Sequence, residues 1–289
     1  MLRQPPDLIA TYWTIAGDVY PMCPDELSPF PFEDRVEAAA LAGYRGAGFI
    51  HQDLMATERR LGFKEMRRIM DANGMRQLEL EFLAGWYAKG EVRTQSDVVR
   101  ADLFRAAGEL GARAIKVAPS LDALKLDNAA RDMPIMVEEF SALAQQAATY
   151  GTTVALEIMP FSNIRTIPVA LEIVSTDPQP AGGLYLDIWH IARGGIPFAE
   201  VARIPKRYVK AVELDDATAK VKGTLWEDTC HNRRLCGEGV LDCKAFIKAI
   251  SATGYTGPFA VEIISSKFRK WPLKKQAQKS FETTFAQFK

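Results

Sequence analysis

Residues 151–158 read Gly-Thr-Thr-Val-Ala-Leu-Glu-Ile, a short apolar run that follows a glycine and carries an acid, Glu157, near its end. Three later runs repeat the pattern: Leu-Tyr-Leu-Asp-Ile at 184–188, Val-Lys-Ala-Val-Glu-Leu at 209–214 and Phe-Ala-Val-Glu-Ile at 259–263. A carboxylate inside a buried strand is costly, because its charged form loses hydration. Four such acids predict a shared partner, and a divalent metal ion is the simplest one.

The rest of the chain alternates between strand-like and helix-like segments. We predict earlier strands at 8–15, 46–50, 77–82 and 114–118, and helices near 32–43, 62–73, 96–111, 134–150, 168–175, 198–203, 242–253 and 273–288. Parallel strands need helical crossovers, and eight such units close naturally into a (β/α)8 TIM barrel. Because no change of composition marks a linker, we expect one α/β barrel domain over residues 1–289.

Strand parity predicts that the four acids point into the barrel. Successive side chains of a strand point to opposite faces, so Glu157 shares a face with Ala155, and Asp187 shares one with Tyr185. Each acid thus falls on the small or polar face, near the C-terminal end of its strand, where barrel active sites are built. The alternative is that these acids pair with basic residues inside the barrel.

Composition narrows the setting. Lys plus Arg and Asp plus Glu both number 36, so the chain has no net formal charge, which argues against a general nucleic-acid or membrane-surface binder. No apolar run approaches the roughly 20 residues of a membrane span, and no signal-peptide pattern opens the chain. The spacing of Cys23, Cys230, Cys236 and Cys243 fits neither a disulfide framework nor a structural zinc site. We expect a cytoplasmic protein that could form a homo-oligomer.

Further motifs surround the acids. They are Leu-Asp-Ile-Trp-His at 186–190, Glu-Leu-Asp-Asp at 213–216, Gly-Glu-Gly-Val-Leu-Asp at 237–242 and Gly-Tyr-Thr-Gly-Pro-Phe-Ala-Val-Glu at 254–262. With them, nearly the whole chain resembles the sugar phosphate isomerase/epimerase family of xylose-isomerase-like TIM barrels. The resemblance implies metal ligands at Glu157, Asp187, Glu213 and Glu262. Glu213 is a departure, because the family usually has histidine there.

The resemblance also implies roles in catalysis and substrate binding. Glu157 and Glu262 would be the acid/base pair, and His190 would contact the substrate, although a packed histidine at the barrel mouth is the alternative. An arginine before the Gly-Glu-Gly turn would orient the substrate. Arg234 and Arg233 both fit that place, and Arg234 is taken as the candidate.

The chemistry that fits is proton transfer beside a carbonyl. A metal ion bound to a carbonyl oxygen and its neighbouring hydroxyl would stabilise the enediolate. We expect an isomerase or epimerase of a small sugar, sugar phosphate or related keto-polyol. A dehydratase of a cyclic keto-polyol is the alternative, as is a barrel that lost catalysis through Glu213. Carboxylate ligands favour Mg²⁺ or Mn²⁺ and leave Zn²⁺ or Co²⁺ open.

Other residues carry weaker signals. Glu81, near the end of the third strand, could reach the substrate or could pair with Lys116 on the fourth. His51 and His231 are either site residues or solvated loop histidines. Four aromatic residues near strand ends could form an apolar wall, with ordinary packing as the alternative: Trp13, Trp86, Tyr87 and Phe161.

Overall fold

The computed structural model describes residues 6–121, 129–175 and 180–289, and its eight parallel strands form a closed barrel. Each strand pairs with the next, and the first pairs with the eighth, which confirms the predicted (β/α)8 fold. The strands are β1 Leu8–Ala10, β2 Gly46–Ile50, β3 Gln77–Leu83, β4 Ala114–Val117, β5 Val154–Glu157, β6 Gly182–Asp187, β7 Val209–Leu214 and β8 Phe259–Val261.

Helices connect the strands and cover the barrel. They are α1 Tyr12–Ile15, α2 Phe32–Ala42, α3 His51–Leu61, α4 Phe63–Ala72, α5 Gly90–Leu110, α6 Ala129–Thr149, α7 Ile167–Ser175, α8 Ile188–Arg193, α9 Phe198–Val201, α10 Leu225–His231, α11 Cys243–Ala252 and α12 Leu273–Phe285. In the described part of the chain, no helix is both long and apolar enough to cross a membrane.

The two faces of the strands pack differently. Outward-facing residues such as Leu156 and Leu186 join a large apolar core beneath the helices. Ala155, Tyr185 and Ala211 form a separate small cluster on the inner face. This separation confirms the predicted parity, because alternate residues of each strand fall in different clusters. The inner face also carries the acids, and it is narrow enough for polar side chains to meet across the barrel axis.

The first strand is shorter than predicted. It ends at Ala10, and residues 12–15 of the predicted strand form α1 instead. The hydroxyls of Thr11 and Thr14 both donate to the Val261 carbonyl, at 3.0 and 2.7 Å. These bonds hold the turn that follows β1 against the end of β8. The alternation of apolar residues along the sequence cannot predict such a turn.

The helix predicted near 96–111 starts earlier than expected. That helix, α5, begins at Gly90, and Ser96 lies inside it. The Ser96 hydroxyl donates to the Ala84 carbonyl at 2.6 Å and so ties the helix to the end of β3. Similarly, α6 begins at Ala129 and contains Pro134, the predicted start of that helix.

Three helices lie outside the predicted elements. They are α3, α8 and α10, with 11, 6 and 7 residues. Helices as short as the last two give little apolar periodicity. A capping box at α10, in which Thr224 and Glu227 cap one another, is the local signal that was missed.

Candidate active site

The four predicted acids meet at the C-terminal end of the barrel. Strand pairing places Asp187 beside Glu213, and Glu262 follows β8 directly. Oxygen atoms of Asp187, Glu213 and Glu262 lie within 4.8 Å of one another, as do ligand atoms of Glu157, Asp187 and His190. The acidic cluster could therefore hold a metal ion.

A lysine ammonium lies at the centre of these acids. Lys116, on β4, points inward opposite Ala155 and is 5% exposed. Its Nζ is 3.0 Å from Glu213 Oε2 and 3.4 Å from Glu262 Oε1. It is also 3.4 Å from Glu81 Oε2 and 3.7 Å from Glu157 Oε1. The ion pair considered between Glu81 and Lys116 is therefore present, as part of a larger cluster.

Arg233 is the second fixed cation. Its Nη1 lies 2.7 Å from Asp187 Oδ2 and 3.1 Å from Glu262 Oε2, and it also bonds Asp215. The Thr229 hydroxyl of α10 accepts bonds from its Nε and Nη2 at 3.1 and 2.9 Å. The Arg233 side chain is 1% exposed, and these contacts fix the position of its guanidinium.

These contacts decide how well a divalent ion fits. Both oxygens of Glu213 are engaged, one by Lys116 and one by the Tyr185 hydroxyl at 3.0 Å. Both oxygens of Asp187 are engaged as well, by Arg233 and by the Trp189 backbone N–H at 2.6 Å. The four carboxylates thus fit a divalent ion only if Lys116 moves away from them.

The cluster has more carboxylates than cations, and this imbalance changes their protonation. Burial, and then the neighbouring acid Glu262, raise the pKa of Glu213 well above its usual range. Burial raises the pKa of Glu157 to about 8 against the opposing charge of Lys116. Burial would also raise the pKa of Asp187, but the neighbouring groups, with Arg233 the largest contributor, together outweigh burial and the pKa falls to about 2. The cluster is therefore neutralised partly by fixed cations and partly by protons.

Among the four predicted acids, Glu157 is distinguished by a buried oxygen that accepts no hydrogen bond in the described part of the structure. This oxygen is Oε1, and the carboxyl is 2% exposed. His190 Nε2 lies 3.8 Å from this oxygen. Burial lowers the pKa of His190 to about 3, so its ring is neutral near pH 7. Within the same part of the structure, His190 Nδ1 also lacks a partner.

A cavity of about 290 Å³ opens above the cluster. Glu157, Glu262, Lys116 and Arg233 line its polar side, whereas Asp187 and Glu213 are not among the described residues that line it. The apolar side is mixed and includes Trp13, Met22, Ile50, Phe161, Trp226 and Ile264. The volume is that of a site for a small molecule.

The remaining predicted site residues differ in whether they line the cavity. His190 and Glu81 line the cavity, as do His51, Trp13 and Phe161. Of the two arginines, Arg233 and not Arg234 enters the site. Arg234 belongs to a β-bridge in which its backbone pairs with Asp216, and adjacent residues of an extended segment point to opposite sides.

Three other candidates are not among the described residues that line the cavity. The Trp86 indole donates to the Ala118 carbonyl at 2.7 Å, and the Tyr87 hydroxyl accepts from Asn163 at 2.8 Å. His231 Nδ1 lies 3.1 Å from Arg269. All four cysteines are free thiols, as predicted.

The buried carboxyl of Glu81 gives a test of these electrostatics. Burial raises its pKa from 4.5 to about 7, so the folded protein keeps a proton that the unfolded chain loses at lower pH. Its stabilising contribution is complete below pH 4.5 and is lost as the pH rises through about 7. We therefore expect the melting temperature of the wild type, relative to that of Glu81→Gln, to fall between about pH 5 and about pH 8. Thermal unfolding of both proteins across this range measures it, and parallel curves would contradict it.

A family model described as a xylose isomerase-like TIM barrel matches residues 36–286. A curated relative from Pseudomonas putida, named 3-dehydroshikimate dehydratase, is 26% identical over 247 residues. That alignment covers 84% of this chain and 38% of the relative, so the chain spans well under half of the relative's length.

Solved structures share the fold at lower identity. The IOLI protein with a bound zinc atom has a TM-score of 0.84 at 18% identity, and the match covers 97% of each chain. A D-psicose 3-epimerase has a TM-score of 0.74 at 15% identity, with 98% of each chain covered. At these identities the likeness shows the barrel and leaves the reaction open.

Proposed function

We propose that this chain, which belongs to the xylose isomerase-like TIM barrel family, is a lyase that removes water from a small cyclic hydroxy ketone. The name of the Pseudomonas putida relative supports this dehydratase reaction over the isomerase or epimerase that the sequence first favoured. The substrate class follows from the same name, since 3-dehydroshikimate is a cyclic hydroxy ketone.

One observation carries the proposal. The Glu157 oxygen that accepts no hydrogen bond from the described residues lies in a small, mostly apolar cavity, and two fixed cations line the same cavity. Such a carboxylate can take a proton from carbon, and hydrogen-bond donors at the ketone stabilise the negative charge that forms on its oxygen. Burial raises the pKa of Glu157 to about 8, so the carboxyl can both accept and release a proton near neutral pH.

The reaction balances with the residues present. Ionised Glu157 takes the proton from the carbon beside the ketone, and the bonding electrons become an enolate that the Lys116 ammonium stabilises by hydrogen bonding. The enolate then reforms the ketone, a new carbon–carbon double bond forms, and the hydroxyl on the next carbon leaves. A proton from the Glu157 carboxyl converts that hydroxyl to water, so Glu157 returns to its starting state.

The other predicted residues support this chemistry. Glu262 is the second member of the predicted acid/base pair, and we propose that it works at the oxygen side of the substrate, where it holds Lys116 and Arg233. The neutral ring of His190 would bond a substrate hydroxyl through its unpartnered Nδ1. Glu81 would contact the substrate from β3, at the edge of the cavity.

The sequence also predicts Mg²⁺ or Mn²⁺ at the four acids. In this reaction such an ion would be an alternative to Lys116 as the positive charge beside the ketone oxygen. Such an ion would need Glu157, Asp187, Glu213 and Glu262 as ligands, and hence the departure of Lys116. Hard oxygen ligands are what these ions prefer.

We expect purified enzyme to convert 3-dehydroshikimate into a conjugated product that absorbs in the ultraviolet. Mass spectrometry should show a product lighter than the substrate by one water molecule, because elimination releases water whereas isomerisation conserves mass. An equal-mass product would favour an isomerase or epimerase, since those reactions share only the first proton transfer. No product from this compound or from related cyclic hydroxy ketones would favour the non-catalytic alternative.

A further inference from the structure

We propose that the Lys116 ammonium is the resident cation of this barrel and occupies the place that a divalent ion would need. This inference rests on the proposed function only where it assigns the ammonium a role toward the substrate ketone. The chemistry involves no covalent step, because the ammonium keeps its proton and donates a hydrogen bond to the ketone oxygen.

The position of Nζ supports the inference. It lies within 3.7 Å of carboxylate oxygens from three of the four predicted ligands, Glu157, Glu213 and Glu262. The fourth, Asp187, is bound by Arg233. A divalent ion among these acids would need the same oxygens, and it would meet a fixed positive charge at close range.

The surroundings hold the lysine in this place. Its β4 neighbours Ile115 and Val117 belong to the outer core, so parity directs Lys116 inward. Ala155, paired with it on β5, leaves room for the aliphatic chain. The ammonium also lies 4.4 Å from the ring centroid of Tyr185, where the face of the ring favours a cation.

Glu213 acts as an anchor for this lysine. It is fully buried, and both of its oxygens accept bonds from protein donors, Lys116 and Tyr185. Lys116 lines the cavity, whereas Glu213 is not among its described lining residues. A neutral histidine at this position, the usual family residue, could bind a metal ion, but its single acceptor nitrogen could not accept from both Lys116 and Tyr185 as the two oxygens of Glu213 do. The glutamate at position 213, where the family usually has histidine, and the inward Lys116 therefore depend on each other.

Manganese binding to wild type, Lys116→Met and Lys210→Met tests the inference. Proteins are freed of metal with chelator and titrated with MnCl₂ by calorimetry and by paramagnetic resonance. We expect Lys116→Met to bind Mn²⁺ at least ~10-fold more tightly than wild type, the scale on which residues around a metal alter its affinity. Lys210→Met is the matched control, because Lys210 lies half-buried on β7 and donates to the Pro180 carbonyl instead. It should bind as wild type does.

Two results would overturn the inference. One is a folded Lys116→Met that binds Mn²⁺ no more tightly than wild type. The other is an equal gain in affinity in the control variant Lys210→Met. If Lys116→Met does not fold, Lys116→Gln takes its place in the same comparison. Turnover is not needed for either measurement, so a failure of the proposed dehydratase reaction is seen separately, as absence of product with the metal result unchanged.

Discussion

Replacing Glu157 by Gln is expected to lower the rate of dehydration by at least ~100-fold, the usual contribution of a general base. The amide keeps the shape of the side chain but cannot take a proton from carbon. Exchange of the substrate's carbon-bound proton with deuterated solvent, followed by NMR, should stop together with turnover. The exchange experiment isolates the first step, because it does not depend on whether water is later lost.

The fold should tolerate this replacement. Burial raises the pKa of Glu157 to about 8, so the carboxyl is mostly neutral at pH 7, as the amide is. Melting temperatures should therefore stay close to that of the wild type. Glu282→Gln is a control, because Glu282 is an exposed residue on α12 that pairs with Lys279. A fully active Glu157→Gln would show that another group moves the proton, with Glu262 the next to examine.

Replacing Arg233 by Met is expected to have the largest effect on stability. This guanidinium bonds Asp187, Asp215 and Glu262, which are all buried. Removing one member of a buried ion pair leaves an uncompensated charge, which costs about 3–5 kcal/mol of unfolding free energy. Urea unfolding of wild type and variant measures the difference, and activity should be lost as well because Arg233 lines the cavity.

The neighbouring arginine provides the comparison. Arg234→Met should leave activity nearly unchanged, since the described cavity lining includes Arg233 and not Arg234. Arg233→Lys should recover part of the stability, because one ammonium restores the charge but cannot form the several bonds of a guanidinium. Equal losses in the Arg233→Met and Arg234→Met variants would contradict the placement of Arg233 in the site.

The amino-acid sequence by itself determined the architecture and the inward acids. Both depend on local patterns: apolar runs separated by helical crossovers predict the barrel, and the two-residue period of a strand predicts the side to which Glu157 or Asp187 points. The inner cluster of Ala155, Tyr185 and Ala211 confirms that parity. His190 lines the cavity, on a helix that continues directly from β6.

Only the tertiary structure decided what neutralises those acids. Lys116 is 35 to 146 positions away from the acids it meets, and no sequence period connects it with Glu213 or Glu262. Arg233 rather than Arg234 lines the cavity because the backbone of Arg234 forms a β-bridge with Asp216. The pKa values follow from burial and from charges brought together by folding, as for Glu157. Local order along the chain fixes which way a side chain points, whereas its partner is fixed by closure of the barrel, which brings distant strands into contact.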